Sequence, residues 1–305
     1  MPSGDQGMNH SQNDRRSVLM MVSSLLIFGT IGLFRRWIPV SSAFLALSRG
    51  TLGGLFLGAF MKLKRRRFPE RLPLRTGLGL ALTGAVMGFN WILLFEAYNY
   101  TSVGVATLCY YMEPTIVVLL SPVLFHEKLT GKKALCAAVA IFGMVLVSGV
   151  FGAGNTQAAS AENLRGVLLG LGAAVLYASV VIMNKRIRGV DAYQKSMIQL
   201  FSAGLVMIPY LFLTNGFSGE GFSIRTVILL LIVGIVHTGI AYLLYFGSMD
   251  GIKAQSIAIL SYIDPVSALL FSAVFLREPL SLSGLIGAIL IIGSAVFCEM
   301  GNSAS

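Results

Sequence analysis

Two carboxylic acids stand where acids are rare. Glu113 precedes Pro114 and Asp264 precedes Pro265, each inside an apolar stretch long enough to cross a bilayer. A charged side chain at the membrane centre costs about 2.5–3.5 kcal/mol on insertion scales, so such residues face a cavity or a partner. The proline adds a second polar feature. It has no N–H for the carbonyl four residues back, which leaves the acceptors of Tyr110 and Ser261 open beside the acids. An acid next to a free carbonyl suits a cationic substrate group or proton coupling. A kinked helix whose acid bonds a neighbouring helix would use the same residues.

Both pairs belong to one segment that occurs twice, 151 residues apart. The first copy runs Tyr111-Met112-Glu113-Pro114 and reaches Glu127 in His126-Glu127-Lys128-Leu129. The second runs Tyr262-Ile263-Asp264-Pro265 and reaches Glu278 in Arg277-Glu278-Pro279-Leu280. Glu127 and Glu278 lie at helix ends beside cations, where ion pairing or capping of the next helix accounts for them.

Other polar residues fall inside apolar runs. Arg49, with Gln199 as its rough counterpart, needs an acid, and Glu96 and Glu113 are the candidates. A structural ion pair is preferred there to contact with an anionic substrate. Asn90 and Trp91 are a turn or more from the end of their span, so Trp91 is a candidate cavity residue, not a belt tryptophan. Tyr242 aligns with Trp91 in the second half, and His237 lies five residues earlier. A lone helical histidine is read as a hydrogen-bonded structural residue before a proton relay. Tyr110, Tyr111 and Tyr262 flank the acids and complete the candidate set.

Several chemistries are excluded by count. Histidine occurs only at His10, His126 and His237, too dispersed for a multi-histidine metal site. Cys109, Cys136 and Cys298 sit singly in apolar runs and read as packing residues. There is no DDxxD, HExxH, GxGD or Walker sequence, so neither those membrane enzymes nor direct use of ATP is indicated. No catalytic residue, metal ligand or cofactor is expected.

The elements that must position these residues are membrane helices. Of the 305 residues, 55% are hydrophobic and 12% charged, against about 25% charged in soluble domains. Apolar runs of spanning length lie at roughly 17–34, 40–61, 75–98, 102–124, 132–150, 165–186, 193–213, 225–247, 254–276 and 282–299. Residues 1–16 form a polar tail, 17–150 the first repeat, 151–164 a linker, 165–300 the second repeat and 301–305 a tail. The run after Arg15-Arg16 has no small-x-small cleavage site and reads as an uncleaved first span.

The net charge of +10 is concentrated in short gaps between spans, which is positive-inside patterning and not a nucleic-acid stripe. With the N-terminus inside, seventeen Lys and Arg fall on the cytoplasmic side and five opposite. Both termini are expected to be cytoplasmic.

Identical pairs such as Gly88/Gly239, Phe95/Phe246 and Pro114/Pro265 share the offset of 151, while Arg36/Arg186 and Gly54/Gly204 sit at 150. Five spans per half is odd, so the halves must be inverted, as in many secondary transporters. The fold expected is all-α integral membrane, ten transmembrane helices in two inverted five-helix repeats.

Asn90 to Phe95, Thr101 to Pro114 and Phe125 to Thr130, with Asp264-Pro265 through Leu276 to Ser281 and on to Gly293, resemble the EamA family of the drug/metabolite transporter superfamily. The resemblance covers nearly the whole chain after Ser17. It implies an inner-membrane exporter of small organic solutes, with a cavity lined mainly by spans 1, 3, 4, 6, 8 and 9. The reading is a carrier that exports small metabolites by alternating access, in a lipid bilayer, as a monomer or homodimer. A membrane-embedded enzyme or a channel or lipid scramblase are the alternatives, and the single central polar cluster favours the carrier.

Overall fold

The computed structural model describes residues 5–64, 72–125, 129–148, 157–216, 222–252, 254–278 and 281–300. His126, Glu127, Lys128, Lys253, Pro279, Leu280 and the basic run Arg65 to Arg71 lie outside the described residues. All regular elements among those described are helical. They are α1 Asp5–Gly29, α2 Ile31–Trp37, α3 Ser42–Leu63, α4 Leu74–Tyr100, α5 Val103–Tyr110, α6 Glu113–Phe125 and α7 Gly131–Val147 in the first half. The second half holds α8 Gln157–Arg186, α9 Ala192–Leu213, α10 Ile224–Ile232, α11 Ala241–Ser248, α12 Ala254–Leu260, α13 Ile263–Phe275 and α14 Leu282–Met300. Val233–Ile240, between α10 and α11, has the wider π-helical hydrogen bonding. Seven helical stretches are long and apolar enough to cross a membrane, and Ile263–Phe275 and Leu282–Cys298 are shorter apolar helices. The segment 151–164, expected as a linker, is helical from Gln157 onward.

Side-chain caps start the helices where the sequence turns polar. Ser41 accepts from the Phe44 amide at 3.2 Å, and its counterpart Asp191 accepts from Tyr193 and Gln194. Thr130 caps α7 through Lys133, as Ser281 caps α14 through Gly284. Each cap satisfies an amide that would otherwise lack a partner at the helix start.

Packing follows the duplication. α3 lies on α9 and α7 on α14, each helix meeting its own counterpart. α8 packs against α4, α5 and α6, and α1 packs against α11, α12 and α13. Exchanging the two halves therefore maps this set of contacts onto itself. Lipid tails are as apolar as leucine, so close van der Waals fit at small residues holds such helices together. A Cβ on Gly50 would sit 2.7 Å from both the Gly204 amide and the Leu200 carbonyl. A Cβ on Gly287 would sit 2.5 Å from the Gly143 carbonyl. Both crossings are backbone against backbone.

Candidate functional site

The acid–proline pairs break their helices; they do not merely kink them. α5 ends at Tyr110 and α6 begins at Glu113, with the Tyr111 amide bonded back to Thr107 at 2.9 Å and that of Met112 to Cys109 at 3.1 Å. α12 ends at Leu260 and α13 begins at Ile263, with Ser261 bonded to Ile257 at 2.9 Å and Tyr262 to Ile259 at 3.2 Å. Each proline falls in the first turn of the new helix, where its missing N–H leaves nothing unpaired. The Ser261 carbonyl, expected to be open, accepts the amide of Asp264 at 3.3 Å because the turn closes on itself. Glu113 and Asp264 both lie in a first helical turn, where the helix dipole favours negative charge.

The two breaks face one another across a cavity of about 420 Å³. α4 contributes Met87, Trp91, Leu94 and Tyr98 at helical spacing, and α8 contributes Tyr177, Val180, Val181 and Asn184. Arg49 comes from α3, Ser196 and Gln199 from α9, and Tyr242, Tyr245 and Phe246 from α11. Tyr110, Tyr111 and Glu113 enter from one break, Ser261, Tyr262 and Asp264 from the other, and Phe28 and Gly29 from α1. Seven of the ten tyrosines line this space.

Its walls are two aromatic groups. Tyr110 packs on Tyr177 with centroids 5.4 Å apart and edge-on to Tyr111 at 5.8 Å. Opposite, Phe28 meets Tyr242 edge-on at 5.7 Å, and Phe246 meets Tyr242 at 5.7 Å and Tyr245 at 5.4 Å. The Tyr111 hydroxyl donates to Asp264 Oδ2, which links the break of one half to that of the other.

Eight of the ten expected site residues share this cavity: Glu113, Asp264, Trp91, Tyr110, Tyr111, Tyr242, Tyr262 and Arg49. Asn90 and His237 are buried outside it. Asn90 Nδ2 donates to the Ala173 carbonyl at 2.6 Å and ties α4 to α8. His237 Nε2 lies 2.8 Å from Thr30 Oγ1, and its ring packs against Phe34 at 4.5 Å.

The acid expected for Arg49 is not there. Glu96 Oε2 accepts from Ser42 at 2.8 Å and Asn99 at 3.1 Å, because Glu96 lies near the end of α4 beside α3's first turn. Arg49 Nε instead donates to Thr238 Oγ1 at 3.0 Å, and its guanidinium lies over the Trp91 ring, 4.4 Å from the centroid. Gln199 donates to Thr83 Oγ1 at 3.0 Å and Asn184 Oδ1 at 2.8 Å. Glu278 caps a helix, but not the next one. Its Oε2 accepts from the Val103 amide at the start of α5 at 2.8 Å, and Oε1 pairs with Arg36 at 3.0 Å.

Tyr177 and Tyr245 were not among the expected residues. Tyr177 shares a helical face with Val180, Val181 and Asn184, and that spacing was the available signal.

The match to known proteins agrees with this geometry. The model of the EamA-like transporter family matches twice, over residues 15–149 and 164–299. The chain belongs to the EamA-like transporter family. Each matched stretch supplies one helix break and one acid of the cavity. Within reach of this EamA-like chain is the Bacillus subtilis (strain 168) protein named uncharacterized transporter YxxF, 29% identical over 87% of this chain and 83% of that one. The probable amino-acid metabolite efflux pump of Escherichia coli (strain K12) is 27% identical over 73% of this chain and 75% of its own length. A solved crystal structure, 22% identical, has the same fold with a TM-score of 0.64, covering 93% of this chain and 97% of that one. The EamA-like chain is thus a multi-pass membrane transporter.

Proposed function

We propose that the chain is a secondary carrier that exports small organic metabolites across the cytoplasmic membrane by alternating access. The observation that carries this reading is the aromatic cavity built from both repeats at two broken helices. Broken helices at a repeat interface are how secondary transporters form a central site without stranding backbone groups in lipid. The exchangeable packing of the two halves supports two five-helix repeats joined within residues 151–164. Five spans in each would invert them, and the Lys and Arg bias favours both termini on the cytoplasmic side.

The ends of the cavity differ. α8 lends it only Tyr177 to Asn184, near the basic end at Lys185 and Arg186. The other end of α8, about 30 Å away along its axis, is tied down by Thr101 bonded to Asn163 at 2.6 Å. Arg36 of α2, which also donates to the Thr101 carbonyl, pairs with Glu278. This supports a cytoplasm-facing state whose outer side is shut. Glu113 and Asp264 are the candidates for coupling, and the tyrosines with Trp91 for the solute's apolar part. The printed name of the Escherichia coli relative makes amino-acid metabolites the first solutes to try.

The test is counterflow in proteoliposomes of purified protein, screened with amino acids, amines and nucleosides. A carrier gives saturable uptake accelerated by trans substrate. Flux that neither saturates nor shows counterflow would make the protein a channel.

A further inference from the structure

Arg49 is 7% exposed and makes no ion pair with a described carboxylate. Its Nε is committed to Thr238, and its plane is stacked on Trp91 with Phe95 at 5.8 Å. Of the acids near it, Asp264 acts on it electrostatically but accepts from Tyr111, and Glu96 accepts from Ser42 and Asn99. Glu113 lines the same cavity without a hydrogen bond to it. Nη1 and Nη2 carry no hydrogen bond to a described residue, and they remain open to the cavity that Arg49 lines. Gln199, at the equivalent place on α9, is neutral and satisfied by Thr83 and Asn184. The cavity thus holds one oriented guanidinium whose donor edge has no acceptor among the described residues. A cation this deep is costly without a counter-charge.

We infer that Arg49 receives the carboxylate of the transported solute, an inference that rests on the carrier reading above and names the substrate class of that site. The Nη edge matches a carboxylate bidentately. Fixing the guanidinium on Trp91 through Thr238 removes the rotamer entropy that a free arginine would lose on binding. Phosphate would offer the same oxygens, but Glu113 and Asp264 in the same cavity oppose a second negative charge. A solute with one carboxylate and an apolar or aromatic body fits best.

The chain has two tryptophans, Trp37 and Trp91. Trp37→Phe leaves Trp91, in contact with Arg49, as the fluorescent reporter. Benzoate and phenylacetate should change its emission saturably, with benzamide and phenylacetamide at least about tenfold weaker, the loss expected when a charged acceptor is removed. Phenylphosphonate should be weaker than either acid because Glu113 and Asp264 oppose its second charge. Arg49→Gln on that background should abolish the preference for the acid over its amide, and Arg49→Lys should keep part of it. Equal responses to acids and amides overturn the inference, as does tighter phosphonate binding or no response to either acid across the millimolar range. The acid–amide comparison needs no change at Arg49, so misfolding of the Arg49 variants does not protect it. Carboxylate binding without counterflow would remove the carrier reading and leave this one. Counterflow of amines without carboxylate binding would do the reverse.

Discussion

Tyr111, at the break between α5 and α6, donates its hydroxyl to Asp264, at the break between α12 and α13. The bond crosses from one repeat to the other at the level of the cavity. Any motion that separates the two breaks must stretch it or carry it along. Replacing Tyr111 with Phe removes the donor and leaves the ring. A hydrogen bond to a charged group contributes about 1.5–3 kcal/mol, so counterflow by Tyr111→Phe should change by about tenfold or more. A rate within twofold of the wild type would separate this bond from the transport cycle.

The two acids are not interchangeable. Asp264 has Tyr111, while Glu113 lines the same cavity with no side-chain hydrogen bond to a described residue. Glu113→Gln and Asp264→Asn are each expected to reduce flux in proteoliposomes at least tenfold, with Asp264→Asn also lowering thermal stability by about 1 kcal/mol through the lost charge-assisted bond. Unchanged flux and pH dependence in both variants would sink the central role of the acids.

Glycine at the α3–α9 crossing has no room to grow. Gly50→Leu drives a side chain into the Gly204 amide and Leu200 carbonyl, and overpacking of this kind costs about 1–3 kcal/mol or more. Gly131→Ala, at the start of α7, meets nothing within 4 Å and should stay within about 0.5 kcal/mol of the wild type. Thermal unfolding in detergent followed by size-exclusion separates the two.

The Arg36–Glu278 tie should hold the outer side shut. Glu278→Gln removes the pair and weakens the cap on α5. A half-exposed ion pair is worth about 1 kcal/mol or less, so reaction of a Thr107→Cys reporter with an impermeant maleimide from outside should rise about two- to fivefold. No increase would free the tie from any role in access.

How much of this was legible in the residues differs by feature. The helical membrane spans, the acid–proline positions and the aromatic pair Trp91 and Tyr242 follow from hydropathy and from the offset between halves. Among the described residues, though, seven stretches, not ten, are long and apolar enough to cross a membrane. The fate of Arg49 did not. Sequence order places acids within reach of α3 but not the direction of a guanidinium, which the Trp91 ring and the Thr238 hydroxyl settle together. Asn90 and His237 were legible as buried polar residues, yet helical phase relative to the cavity depends on how α4 and the π-helical stretch rotate against their neighbours. Tyr177 was missed because a single tyrosine in an apolar helix carries no signal beyond its face, whereas Tyr245 lies three residues from the expected Tyr242 on α11, on the same face.

Gly84 and Gly234 stand 150 residues apart, whereas Gly88 and Gly239 stand 151 apart. Three residues separate the first pair of glycines in α4, and four separate the second pair, Ile235 to Thr238. The surplus residue falls inside Val233–Ile240, where the wider hydrogen-bond loop absorbs it without breaking the rod. The stretch between Gly234 and Gly239 is thus one residue longer than that between Gly84 and Gly88, and it carries His237 and Thr238, the partners of Thr30 and Arg49. The longer stretch gives the second half a hydroxyl that meets Arg49 of the first, whereas Gln199 of the second half meets Thr83 and Asn184.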